Sequence, residues 1–184
     1  MRTPVEEEIW YSYPGMVAVI TARYKGAQNI MASGWHTYLG SNPGMYGISV
    51  QRKAYTYDLI EKSGVFGVHF LPAKYTELIQ AVGTFSGSNV DKFQEYNIHY
   101  ENGLKADIPI LTSAYFAYEC EVKSITPVAD QEWIVGEVLQ RYQDKDVFLD
   151  KGFPNLAKLD IPLHIGDSSY RILNDQALEK DHPF

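Results

Sequence analysis

Two cations stand side by side at Arg52 and Lys53, between the polar residues Ser49 and Gln51 and the pair Tyr55 and Thr56. Upstream, Asn29, Met31, Ala32, Ser33, Gly34 and Trp35 gather small and polar residues around one indole. A dianionic phosphate needs this kind of equipment: charge-assisted bonds from Arg52 or Lys53, hydroxyls from Ser33, Ser49 or Thr56, and free amides at a helix start. A bond to such a charge is worth about 1.5–3 kcal/mol and a helix terminus about 0.3–1 kcal/mol, so three or four together hold an anion firmly. An exposed turn pair followed by an ordinary helix cap accounts for the same residues equally well, and spacing alone leaves both readings open.

Other chemistry finds no footing. The histidines His36, His69, His99, His164 and His182 have no metal-ligand spacing among themselves or with Cys120, so no zinc site is expected. Gly83-Thr84-Phe85-Ser86-Gly87 is not G-x-S-x-G and follows no strand, which makes Ser86 a loop residue rather than a nucleophile. There is neither a Walker A motif nor G-x-G-x-x-G. Glu119 and Glu121, two apart, are expected on the wet face of a strand rather than as an acid–base pair.

Short elements must position the residues around Asn29 to Thr56. Met16 to Ala22 and Asn29 to Ser33 read as a hairpin turning at Gly26, and Met45 to Val50 as a strand after the break at Gly40 to Gly44. Thr56 to Ser63 has the period of a helix, with Thr56 as N-cap and Gly64 as terminator. Val65 to Phe70 is a strand ended by Pro72, and Lys74 to Val82 a helix closed by Gly83. Ser88 and Asp91 are spaced as a capping box for another short helix. Ala114 to Val122 alternates as a half-buried strand, with Phe116, Tyr118, Cys120 and Val122 on one face. Glu132 to Tyr142 and Tyr170 to Leu173 complete the strands, Pro154 to Pro162 reads as a connector, and Asp175 to Phe184 as a charged tail. One mainly antiparallel β-barrel with a few short helices accommodates this pattern.

With 184 residues, the chain suits one domain, 1–184, with a barrel core over about 13–173 and a tail at 174–184. A net charge of -7 argues against nucleic acid or an anionic membrane as partner, since both need surplus Lys and Arg at the contact. No apolar run reaches the roughly 20 residues of a membrane span. One cysteine allows no internal disulfide, and Met1 to Glu8 is acidic where a secretory signal is basic and then apolar, so a cytoplasmic protein is expected. The 14 Tyr, 8 Phe and 3 Trp serve strand packing, or a flat conjugated ligand.

Five segments in this order, Asn29-Ile30-Met31-Ala32-Ser33-Gly34-Trp35, Tyr55 to Ile60, Phe66 to Phe70, Gly83 to Gly87 and Asp91-Lys92-Phe93, resemble the flavin reductase-like family and its flavoredoxin branch over roughly Tyr13 to Leu173. The resemblance implies an FMN-binding split β-barrel, mainly β and Greek-key-like, that works as a homodimer. It implies that Asn29, Met31, Ala32, Ser33 and Trp35 line the isoalloxazine, and that Ser49, Gln51, Arg52, Lys53, Tyr55 and Thr56 serve ribityl and phosphate, with Lys92 a further contact. The implied activity is an oxidoreductase passing electrons from NADH or NADPH through noncovalent FMN to a second acceptor, a small molecule or a redox partner protein. Short flavin reductases carry a histidine near the position of Gln131. Its absence keeps open an FMN-holding electron carrier reduced by a partner protein. Ala32, Gly34 and Ala54, where relatives carry hydroxyl or basic residues, leave a barrel for another planar ligand as a further alternative.

Overall fold

The structure, a computed structural model, describes residues 2–4, 6 and 13–180. The last four residues of the expected tail, and with them His182, lie outside the described residues, as do Met1, Val5, Glu7 and Glu8 of the acidic start.

The chain opens with a hairpin of β1 (Ala18–Tyr24) and β2 (Ala27–Ser33), paired from Ala18↔Ser33 to Tyr24↔Ala27. Its two-residue loop puts Lys25 at φ 49° and Gly26 at φ 83°. Two successive positive φ values match the right-handed twist of the strands, and glycine supplies one of them without a Cβ clash. Then come β3 (His36–Ser41), β4 (Gly44–Gln51), α1 (Tyr55–Ser63) and β5 (Val65–Phe70). Helices α2 (Thr76–Thr84) and α3 (Lys92–Glu95) lead to β6 (Tyr100–Asn102) and β7 (Pro109–Leu111). The long strands β8 (Phe116–Val128) and β9 (Gln131–Gln143) form a second hairpin, and β10 (Ile161–Gly166) with β11 (Ser169–Leu173) a third.

Seven strands make one antiparallel sheet in the order β2-β1-β5-β8-β9-β4-β3, rolled so that β2 also lies against β4. Strand β1 is buried on both faces from Ala18 to Ala22, which is why Ala18, Val19 and Ile20 follow one another without alternation and the Thr21 hydroxyl is satisfied by the Pro109 carbonyl at 2.7 Å. Ala18, Ile20 and Ala22 point to the barrel interior with Ile48, Phe66, Val68 and Ile134, and α1 closes that core through Leu59 and Ile60. Val19 faces outward onto Ile79 and Val82 of α2 and Phe93 of α3. Full burial of a Leu or Ile contributes about 1.5–3 kcal/mol, so Leu59 and Ile60 dock α1 more strongly than its exposed Asp58–Lys62 pair, worth a few tenths. Cys120 is buried in the same core, and burial pushes its thiol up to about 12, a thiol kept protonated and inert. Among the described residues, no helix is long and apolar enough to cross a membrane.

Several local expectations are corrected. Ala54 occupies the N-cap of α1 without a side-chain bond, while the Thr56 hydroxyl is buried and accepts from Asn29 Nδ2 at 2.9 Å. Gly64 does end that helix, in the left-handed region with its N–H on the Ile60 carbonyl at 2.8 Å. Helix α2 runs through Gly83 to Thr84. Asp91, not Ser88, caps α3, accepting from the Phe93 and Gln94 amides at 3.0 and 3.2 Å, while Ser88 bonds Ser86 and Asn89. The expected connector contains the start of β10.

The largest correction concerns Glu119. It is fully buried, because the loop between β6 and β7 folds over the face expected to be wet. Its carboxylate accepts from the Leu104, Lys105 and Ala106 amides at 2.8, 2.9 and 2.6 Å and from the Tyr142 hydroxyl. Glu121 stays exposed and pairs with Lys123.

Candidate functional site

A cleft of about 970 Å³ opens where β2, the β4–α1 turn, α2 with the loop after it, the β8–β9 tip and the β10–β11 hairpin converge. Eleven of the twelve expected binding residues line it. From β2 and its exit come Asn29, Met31, Ala32, Ser33 and Trp35; from β4 and the turn, Ser49, Gln51 and Lys53; from the start of α1, Tyr55 and Thr56; and from α3, Lys92. Arg52 is the exception. Its Nε donates to Glu132 Oε1 at 2.6 Å, with Nη2 on the same oxygen, and it takes no part in the wall.

Backbone bonds tie the two halves of the wall together. The Ser49 amide donates to the Trp35 carbonyl at 2.9 Å, and the Ser33 hydroxyl donates to that carbonyl at 3.4 Å. Asn29, nearly buried on β2, donates across to Thr56 on α1, so the strand and the helix start share one polar floor. Gly87 lets the following loop close on that floor, since a Cβ there would lie 2.1 Å from Asn29 Oδ1. At Gly34 a Cβ would meet nothing within 4 Å, which leaves the wall open beside Ser33. Trp35 and Phe85 stand at the wall about half exposed, two flat apolar surfaces next to polar backbone.

Among the described residues, two Lys or Arg side chains line the cleft, Lys53 and Lys92. The first turn of α1 leaves its leading amides without intrahelical acceptors, and Lys53 sits just ahead of them. Lys92 is nearly buried, and its Nζ donates to the carbonyls of Ile30 and Val82 at 2.8 and 2.7 Å. Both partners are neutral, so burial dominates and pushes the amine down to about 8. Asp130, Gln131, Asp167, His164 and Tyr170 complete the wall on the far side. His164 and Tyr170 pack edge to face at 5.2 Å, and the Tyr170 hydroxyl donates to Gln80 Oε1 at 3.3 Å. Among the described residues, no three His, Cys, Asp or Glu converge to hold a metal ion.

Sequence reasoning missed Phe85, Asp130, His164, Asp167 and Tyr170. Phe85 lies inside the Gly83 to Gly87 segment that the resemblance used, so a signal existed there. The β10–β11 residues carried none: Tyr170 reads only as the start of a short strand, His164 and Asp167 lie between it and the expected connector, and all three reach the cleft only through tertiary packing.

This cleft, with small residues on β2 and a cation before α1, occupies a chain whose residues 10–171 match the family model of the flavin reductase like domain. The chain belongs to that family. Its sheet is the split β-barrel of its structural relatives. An FMN-binding protein from Thermus thermophilus, solved with bound 1-cyclohex-2-enone, is 28% identical, covers 98% of each chain and superposes with a TM-score of 0.86. Flavoredoxin from Methanosarcina acetivorans is 28% identical over 97% of this chain and 95% of its own, with a TM-score of 0.84. An uncharacterized protein of Pyrococcus abyssi is 27% identical over 164 residues, 89% of this chain and 93% of its own.

Proposed function

We propose that the chain binds one FMN noncovalently in this cleft and passes electrons from NADH or NADPH through it to a second acceptor. The observation that carries the reading is the meeting of small residues, aromatic surfaces and Lys53 around one cleft of about 970 Å³. The donor set fits the group. Ala32, Ser33 and Gly34 offer backbone groups without bulk, which suits the edge of a flat ring, and Trp35 and Phe85 offer apolar faces that exclude water from it. Lys53 with the leading amides of α1 suits a phosphate, and Ser49 and Gln51 suit a polar chain between ring and phosphate. Lys92 places a positive charge beside β2, where it stabilises negative charge that develops nearby. FMN, when bound, supplies the acceptance and onward donation of electrons, so the protein contributes binding, orientation and electrostatics.

The FMN-binding and flavoredoxin relatives support the same assignment. The reading includes a homodimer in the cytoplasm, built from a single domain over 1–184 with 174–184 as its tail, and a redox protein as one candidate acceptor. A second reading has its own observation: Gln131, which lines the cleft, cannot act as a titrating group, and this favours a carrier reduced by a partner protein rather than by a nicotinamide.

Titrating FMN while following its fluorescence and absorbance, then adding NADH and NADPH in turn without oxygen, separates the two. Binding followed by bleaching supports the reductase, and binding without bleaching supports the carrier. No binding sinks both.

A further inference from the structure

Arg52 sits between two residues that line the cleft, Gln51 and Lys53, yet its guanidinium is committed elsewhere. Glu132 stands opposite Val50 in the β4–β9 ladder, 80 positions away from Arg52 in sequence. The partners are unequal: the Glu132 side chain is 4% exposed, the Arg52 side chain 68%. Seen from Arg52 the pair is a surface contact, which is worth little. Seen from Glu132 it is the compensation of a buried carboxylate, and removing a buried charge's partner is strongly unfavourable. The second view decides, because Arg52 cannot leave without stranding that carboxylate. The neighbouring Glu61 accepts from the Tyr57 hydroxyl at 2.6 Å and is exposed, so water can solvate it and it does not need Arg52 as buried Glu132 does.

We infer that Glu132 sets the strength of anion binding at this end of the cleft, by withholding Arg52 from the flavin phosphate and leaving Lys53 and the α1 amides to hold it. The inference rests on the FMN reading above and goes beyond it. A phosphate held by one side-chain cation fewer than the turn carries is released more readily.

The test compares FMN with riboflavin, which has the same ring and no phosphate, by fluorescence quenching at fixed ionic strength. Glu132→Gln keeps the side-chain volume and removes the charge that needs compensating, so Arg52 becomes available. FMN affinity relative to riboflavin should rise about tenfold, the scale of one charge-assisted bond. The double variant Glu132→Gln, Arg52→Gln should return the ratio to the wild-type value. Arg52→Gln alone should leave it within about twofold, and Lys53→Ala should lower it about tenfold. Near-ultraviolet circular dichroism checks that each variant is folded, and Arg52→Gln, whose side-chain amide can still donate to Glu132, carries the test if Glu132→Gln is not folded. A ratio that stays or falls in Glu132→Gln, or falls in Arg52→Gln as far as in Lys53→Ala, overturns the inference while the FMN reading stands. Binding of neither flavin by the wild-type protein overturns both.

Discussion

Acidification should destabilise this protein through one buried ring. His69 on β5 has no exposed surface; its Nδ1 donates to the Val19 carbonyl at 3.0 Å, and its Nε2 has no partner among the described residues. A proton added at Nε2 would be a buried charge without an acceptor, and burial accordingly lowers the pKa from 6.5 to about 4. The unfolded chain binds that proton below about pH 6.5 while the folded protein refuses it, so the stabilisation is complete above that pH. It declines as the pH falls and is gone by about pH 4. A gap from 6.5 to about 4, at about 1.36 kcal/mol for each pH unit, comes to roughly 3 kcal/mol. Urea unfolding followed by circular dichroism at about pH 7 and about pH 4 measures the loss, and His69→Gln, which keeps a donor for Val19 but does not titrate, isolates it from the carboxylates. The wild type should lose roughly 3 kcal/mol more than the variant across that interval. Equal losses in the two proteins would refute the reasoning.

Glu119→Gln should cost about 2–4 kcal/mol, since an amide nitrogen would replace an acceptor that faces backbone N–H groups, and the urea midpoint reports it; a change under about 0.5 kcal/mol would mean the β6–β7 loop is held by something else. Lys92 loses its charge as the pH rises through about 8, so FMN affinity should fall between about pH 7 and pH 9 in the wild type and stay flat in Lys92→Met; parallel curves in a fluorescence titration would remove Lys92 from the binding account.

What the sequence revealed, and what it hid, divides by range of interaction. The β1–β2 hairpin, the Gly64 stop and β5 were legible because a turn residue or a short apolar period marks each one locally. Strand β3 was not, since Thr37, Tyr38 and Leu39 are all exposed on a sheet edge and show no alternation. Glu119 was misread because strand alternation assigns a face but not what covers it, and the cover comes from Leu104 to Ala106. Thr56 was read as a cap because its type and place suit one, whereas its hydroxyl answers to Asn29 on another element. Eleven of the twelve expected residues line the cleft, ten of them because β2 and the β4–α1 turn lie within one stretch of chain and Lys92 through the separate Asp91-Lys92-Phe93 segment. Arg52 broke the set through a carboxylate 80 positions away, which no local pattern announces.

The order of strands also constrains when the cleft can exist. Strand β4 gains its inner neighbour only when β9 arrives, and His164 and Tyr170 reach the wall only with the last hairpin. During synthesis from the N-terminus, the stretch from Asn29 to Thr56 holds the partners of its own Asn29–Thr56 and Ser49–Trp35 bonds, but the wall opposite it waits for most of the remaining chain. A ligand of the cleft cannot template the early steps of folding. It can only reward a chain that has already closed, which makes loading an event of the finished protein.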